Sequence, residues 1–320
     1  MKALLLLAFG GPRSLDEVEP FLTRLFKGRP PSLEQLERVK DRYRKIGGSS
    51  PLHEITQRQA KKLMEKLEAK GYFFKSYIGM NYGEPSIEEV LKEIHQNGHQ
   101  EVLVLPMTPF RSKWSTGVYK EEVNRVNKGM GDALKLRFIE GWHMHPLFLE
   151  SWAERINEGL ELFPSERRKR VHLVFTAHSL PESVVHHDPY VGDLRECVRG
   201  ILERIEPLSW HLAFQSKGGG PEKWIGPDVE SVLIGLSKIY IKEVLVVPVG
   251  FLSDHIEILY DLDLCYREKA QSLGLTLRRA PSLNDSERFI EALTSVIETH
   301  LKGFEPPKDR DHPVNGSLMA

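Results

Sequence analysis

The chain has 320 residues, 40% hydrophobic and 28% charged, which suits two ordinary domains or one large one and argues against a disordered protein. Its 44 lysines and arginines against 45 acidic residues leave a net charge of −1, so there is no electrostatic footprint for nucleic acid. Two cysteines, Cys197 and Cys265, form neither a disulfide framework nor a four-thiolate cluster and fit a reducing compartment.

The first apolar run, Ala3 to Phe9, is short for a secretory signal and lacks a small-x-small cleavage site; it reads as a buried strand. The segment 13–50, with its basic, proline-rich LFKGRPP, adds further elements. Strands are then predicted at 73–80, 101–107, 134–140, 171–177, 210–216, 243–249 and 275–280. Amphipathic helices are predicted at 52–69, 86–96, 148–162, 193–205, 228–239 and 285–301, and 304–320 reads as a loose tail. No stretch approaches the ~20 apolar residues of a membrane-spanning helix. Strand–helix alternation with unbroken apolar strands predicts an α/β protein of parallel sheets covered by helices.

The chain echoes itself. AFGGP at 8–12 and AHSLP at 177–181 each follow an apolar strand at an offset of 169, and EVLVLP at 101–106 returns as EVLVVP at 243–248 at an offset of 142. Two echoes in the same order predict two similar Rossmann-like halves, each a four-stranded parallel sheet, with a cleft between them. The offsets differ by 27 residues, which places extra elements in the first half. The crossover falls near 141–150. Ligands bind at the carboxyl ends of strands in open α/β sheets, and both pentapeptides sit at such ends. One copy carries Phe9 where the other carries His178, so the cleft has unequal walls.

A lone histidine after a strand is ordinarily a polar residue at a turn, but here its neighbours bear on it. After VLVVPV comes GFLSDHIEILYDLD, where Asp254, Glu257, Asp261 and Cys265 fall at i, i+3, i+7 and i+11, one face of an α-helix, with Asp263 pointing elsewhere. The bland account is a solvated acidic face with a capping box at its start. Stacked like charges are unfavourable unless a cation joins them, and oxygen ligands beside an imidazole suit a divalent first-row metal. His178 and Glu257 follow strands of one half and can share a pocket. His143 and His145 in WHMHP, and His186 and His187, have no nearby cysteine or third ligand in sequence and argue poorly for structural zinc. KGGGP at 217–221 lacks the helix start and lysine of a phosphate cradle and reads as a flexible wall. In the basic cluster Arg24, Lys27, Arg29, Arg42 and Arg44, most side chains read as solvated charge; two or three would serve to bind a flat polycarboxylate.

These motifs together resemble the ferrochelatase family over roughly residues 3–303. The resemblance rests on AFGGP, YRKIGGSSPL (43–52), GMNYGEPSI (79–87), FTAHSLPESV (175–184) with DPY (188–190), FQSKGGGPEKWIGPDV (214–229) and VPVGFLSDHIEILYDLD (247–263). It implies a chelatase fold with an N-terminal half of 1–142 plus 286–303, and a C-terminal half of 143–285 carrying the catalytic histidine. It implies Fe²⁺ as a substrate inserted into a porphyrin, coproporphyrin III or protoporphyrin IX, with two protons released. No permanently bound cofactor is expected, and the cysteine count excludes the iron–sulfur cluster of some members. His178 corresponds to the family's metal-ligating and proton-accepting histidine and Glu257 to its acidic partner. Asp254, His255 and Asp261 correspond to a metal-handling ridge. Phe9, Lys27, Arg42, Ser50, Tyr119, Ser216 and Trp224 correspond to the porphyrin-binding walls. The implied partners are porphyrin, haem and a transient haem-accepting protein, in a cytoplasmic enzyme free to sit at a membrane surface.

Two positions depart from one branch of the family. Phe9 stands where coproporphyrin-using members have an iron-ligating tyrosine, and Cys265 stands where they have a carboxylate. KDRYRKIGG resembles that branch, while MNYGEPSI and WSTG resemble the protoporphyrin branch, so the residues leave the substrate open. Two alternatives are a cobalt or nickel chelatase of the same fold and a non-catalytic tetrapyrrole carrier; the second needs no acidic ridge.

Overall fold

The structure, a computed structural model, describes residues 2–218 and 221–301. Its strands form two parallel sheets. The first contains β1 (Lys2–Ala8), β2 (Phe74–Met80), β3 (Glu101–Pro106) and β4 (Lys135–Phe138) in the order β2-β1-β3-β4. The second contains β5 (His172–His178), β6 (Trp210–Gln215), β7 (Glu243–Val247) and β8 (Thr276–Arg279) in the order β6-β5-β7-β8. The duplication read from the sequence is therefore a duplication of topology. The strands that lead into the two pentapeptides, β1 and β5, hold the second place in each sheet, and the EVLV strands β3 and β7 hold the third.

The helices are α1 (Val18–Leu25), α2 (Leu33–Lys45), α3 (Leu52–Ala69), α4 (Ile87–Gln96), α5 (Thr116–Gly129), α6 (Pro146–Glu161), α7 (Glu182–Val185), α8 (Tyr190–Leu202), α9 (Val229–Lys238), α10 (Arg267–Ser272) and α11 (Glu287–Leu301). Capping boxes start α2 (Ser32 with Gln35) and α4 (Ser86 with Glu89), and the Asp228 carboxylate caps α9 by accepting from the Ser231 N–H. The central strands lack apolar–polar alternation because both faces are covered. On β1, Leu4 and Leu6 face one apolar layer with β3, α3, α6 and α11, while Leu5 and Leu7 face another with α4 and α5.

The first of those layers continues into the second sheet. Leu173 and Phe175 of β5 and Leu245 and Val247 of β7 belong to the same cluster as Leu4, Leu63, Trp152, Phe289 and Leu293. Helix α11 packs on α3 and α6, so the two sheets share a core. The extra elements of 13–50 are α1 and α2, which form a smaller cluster of Val18, Leu22, Leu36 and Tyr43. Ile256 from the second half packs against it.

One local prediction fails. The spacing of Asp254, Glu257, Asp261 and Cys265 predicted one α-helical face. The chain instead forms a π-helix over Glu257–Tyr266, and Asp254 precedes it. Hydrogen bonds reaching five residues back are rare and concentrate at functional sites. Among the described residues no helix is long and apolar enough to cross a membrane. The tail 304–320 and two glycines of KGGGP, at 219 and 220, lie outside the described residues.

At the amino end of the second sheet, His172 of β5 pairs ring to ring with His211 of β6, Nε2 to Nδ1 at 2.7 Å. Burial, reinforced by His211, pushes the His172 imidazole down from 6.5 to about 4. The folded state therefore holds it neutral, while the unfolded chain takes up a proton below pH 6.5. Its contribution is present above that pH and is lost progressively as pH falls toward 4, by up to about 3 kcal/mol. Urea unfolding between pH 7.5 and 4.5 should show this falling limb, and His172→Gln should make it shallower.

Candidate active site

The site is built at the carboxyl end of the second sheet. The chain leaving β7 crosses tightly against the end of β5. A Cβ placed on Gly250 would lie 2.6 Å from Ala177 Cα, so only glycine fits, and its N–H donates to the Thr176 carbonyl at 3.0 Å. This crossing brings the segment after β7 beside His178, the last residue of β5.

His178 Nδ1 lies 2.5 Å from the Ser179 carbonyl oxygen. A carbonyl only accepts, so the neutral ring carries its proton on Nδ1 and keeps a lone pair on Nε2. Nε2 is 3.8 Å from Glu257 Oε1. The other oxygen, Glu257 Oε2, is buried without a hydrogen-bond partner. The Glu257 backbone is held from both sides: Gln215 Nε2 donates to its carbonyl at 3.0 Å, and its N–H donates to His255 Nδ1 at 3.2 Å. Burial alone would raise the Glu257 carboxyl; His178, His255, the Ser216 hydroxyl and Arg42 outweigh it and hold the group below its ordinary value. Burial lowers His255, which favours a neutral ring.

Asp261, four residues along the π-helix, accepts from Arg42 at 2.5 Å and from Ser216 Oγ at 3.3 Å. Burial pushes its carboxyl up despite Arg42. The Arg42 guanidinium also lies 4.8 Å over the Tyr260 ring, so α2 of the first half grips the π-helix of the second. Ser216 sits just past β6 with φ near +59°, a left-handed backbone unusual for serine, and its hydroxyl reaches Asp261 from there. Outside Arg42 an open groove of about 630 Å³ is lined by Glu34, Glu37, Asp41, Lys45 and Tyr260.

Phe9 follows β1 at the equivalent end of the first sheet. Its ring is 45% exposed and packs on Tyr82 (4.8 Å) and Phe21 (6.4 Å). Gly10, at φ +92°, lets the loop press on Gly83: a Cβ there would fall 2.8 Å from the Gly83 nitrogen. Ser50 is buried behind this loop, its N–H donating to the Pro12 carbonyl at 2.8 Å. Tyr119 is buried in the apolar layer over the first sheet. Both therefore stand behind the wall rather than on its surface. Trp224 pairs with Pro181 in an isolated bridge, which sets it against the loop after His178. Lys27 is exposed past the end of α1 and has no ion pair among the described residues.

The structure gathers His178, Glu257, Asp261, Ser216 and Arg42, but not Asp254. The Asp254 carboxylate accepts from Ser282 Oγ (2.7 Å) and Asn284 Nδ2 (2.9 Å) and pairs with Arg279 (3.3 Å). Both its oxygens are occupied, so it braces the end of β8 and does not join the ridge. Asp263 is bound by Arg279 as well, and Cys265 is exposed. His143, with Asp193 and Glu196, forms a trio with ligand-like spacing, but the Arg111 guanidinium occupies the Asp193 carboxylate. Sequence reasoning missed Tyr82, Phe21, Gln215, Asp188 and Tyr190. Tyr82, Gln215 and the DPY pair lay inside quoted motifs, but motif membership does not reveal which way a side chain faces.

Two four-stranded parallel sheets with an imidazole and carboxylates gathered at strand ends define a protein of the chelatase class. The fold is shared with SirB from Bacillus subtilis with Fe³⁺ (TM-score 0.57, 13% identity, 93% of this chain and 95% of that one). It is also shared with CbiX, the terminal enzyme for biosynthesis of sirohaem in denitrifying bacteria (TM-score 0.54, 10% identity, 93% and 99%). The ferrochelatase family model matches residues 1–301. Relatives include the ferrochelatase of Herpetosiphon aurantiacus (40% identity, 92% of this chain and 97% of the relative) and the coproporphyrin III ferrochelatase of Anoxybacillus flavithermus (35%, 93% and 96%). The chain belongs to the ferrochelatase family.

Removing the Asp254 carboxylate leaves the Ser282 hydroxyl and the Asn284 amide without an acceptor and takes one of its two carboxylate partners from Arg279. Asp254→Ala should therefore destabilise the fold by about 1–3 kcal/mol in urea unfolding. Glu257→Gln, which removes no such network, should unfold within about 1 kcal/mol of the parent.

Proposed function

We propose that the chain inserts Fe²⁺ into a porphyrin in haem biosynthesis, with His178 as acceptor of the pyrrole protons and Glu257 as its partner. The observation that carries this reading is the pair itself: a free Nε2 lone pair 3.8 Å from an ionised carboxylate whose second oxygen is buried and unpartnered. Two protons must leave the macrocycle as Fe²⁺ enters, and a neutral imidazole is a competent acceptor near neutral pH. Once protonated on Nε2, the ring has Glu257 to neutralise it. From Glu257, Ser216 and Asp261 offer a polar route toward Arg42 and the open groove. The same carboxylates can hold an arriving divalent ion, which enters as substrate.

In this reading Phe9, with Tyr82 and Phe21, supplies an apolar wall and no axial oxygen. Trp224 contributes a wall beside His178, while Ser50 and Tyr119 support the first-half wall from behind. Arg42 is engaged with Asp261, which leaves Lys27 the freer of the two expected cations to meet substrate carboxylates. We take the halves as 1–142 plus 286–303 and 143–285, a division supported by the two separate sheets and by the packing of α11 on α3, and the paucity of cysteines fits a cytoplasmic setting without an iron–sulfur cluster.

His178→Ala should lower the rate of metal insertion by at least about 100-fold while porphyrin binding, followed by fluorescence, is retained. A wild-type rate in that variant would remove the assignment. Lys27→Ala should raise KM for coproporphyrin III, with four carboxylates, more than for protoporphyrin IX, with two. Equal changes would count against a tetracarboxylate substrate.

A further inference from the structure

The end of the α7–α8 connection and the first turn of α8 join the two halves at two carboxylates, Asp188 and Asp193, and meet His178 between them. Asp188 is buried. Its Oδ2 accepts from Ser112 Oγ (3.1 Å) and the Lys113 N–H (2.8 Å), both in the loop after β3 of the first half. Its Oδ1 accepts from the Tyr190 N–H at 3.0 Å. Asp193, also buried, accepts from the Arg111 N–H, Nε and Nη2 at 3.0, 3.0 and 2.6 Å. The loop 111–113 is thus held to one short stretch of the second half by two side chains five residues apart.

Tyr190 lies between them, its ring edge-on to Phe110 at 6.3 Å. Its hydroxyl donates to the carbonyl oxygen of His178 at 3.0 Å. Burial, with Glu257 adding to it, pushes the Tyr190 hydroxyl up, so it remains a donor at any working pH. The next peptide is fixed too: Ser179 N–H donates to the Gln215 carbonyl (2.7 Å) and Ser179 Oγ to the Ile225 carbonyl (2.8 Å). The Ser179 carbonyl is the group that sets the His178 tautomer.

We propose that Asp188 and Tyr190 are positioning residues for His178. The pair ties the backbone at the end of β5 to the loop 111–113, so that the imidazole presents its Nε2 lone pair to the cleft in a register set by the opposite half. Neither side chain touches the reacting atoms; both act through the peptide that orients the ring. The proposal rests on the reading of His178 as proton acceptor.

The test is Tyr190→Phe, which deletes one hydroxyl and keeps the ring in its packing. The value of kcat for metal insertion should fall about fivefold, as for one lost hydrogen bond, with KM for porphyrin within about twofold of the parent. Asp188→Asn, which sets an amide against the Lys113 N–H, should act in the same direction. In a His178→Ala background Tyr190→Phe should add nothing. With ¹⁵N-labelled histidine, assigned by difference against His178→Ala, the His178 ring should show the Nδ1-protonated pattern in the parent and a mixture of tautomers in Tyr190→Phe, a change that lower stability alone would not produce. Lost activity in His178→Ala beside an unchanged kcat and tautomer in Tyr190→Phe overturns the positioning role alone. A wild-type rate in His178→Ala overturns the histidine assignment and the relay with it.

Discussion

An imidazole and a carboxylate held 3.8 Å apart are the constraint on which the rest of this structure depends. In water the two groups would each be solvated and indifferent to one another. In this cleft the carboxylate is partly buried, and its charge persists because imidazoles, a hydroxyl and a guanidinium surround it. The imidazole in turn has one nitrogen committed to a backbone carbonyl, which leaves the other as the basic atom. That division of roles within one ring depends on backbone placement, and much of the second half supplies it: the glycine crossing at Gly250, the Gln215 amide under Glu257 and the hydrogen-bonded turn after β5.

The first half contributes differently. It repeats the strand order of the second but ends its equivalent strand in an apolar ring. Its additional helices reach over to the π-helix through Ile256 and the Arg42–Asp261 pair. Duplication therefore supplied two frames: one gathers the imidazole and the carboxylates at its strand ends, while the other presents an apolar ring and the helices that reach across. This part-buried ion pair fixes which turn of α2 meets which turn of the π-helix.

Much of this was legible in the sequence because parallel strands buried on both faces read as unbroken apolar runs and because two echoes in one order betray a repeated fold. His178 and Glu257 were legible as ends of strands in the same half. The role of Asp254 was not, since its partners Ser282 and Asn284 meet it only through tertiary structure. The π-helix was hidden because a shift of hydrogen bonding by one residue leaves no compositional trace, and an α-helical spacing fitted the same acidic residues. Ser50 and Tyr119 belonged to motifs that line a cleft, yet a motif cannot distinguish a residue on the surface of a wall from one immediately behind it.

Helix α11 has a consequence for how the chain comes to be folded. Phe289, Ile290, Leu293 and Ile297 fill the layer between α3 and α6, although α3 is made early and α11 is the last described helix. During synthesis the first sheet, α3 and α6 emerge before α11, so the apolar surface that α11 covers waits while most of the second half is translated. The nascent first half thus carries an adhesive face for most of its time on the ribosome. The last described helix acts as the closing stitch of the core that the two sheets share.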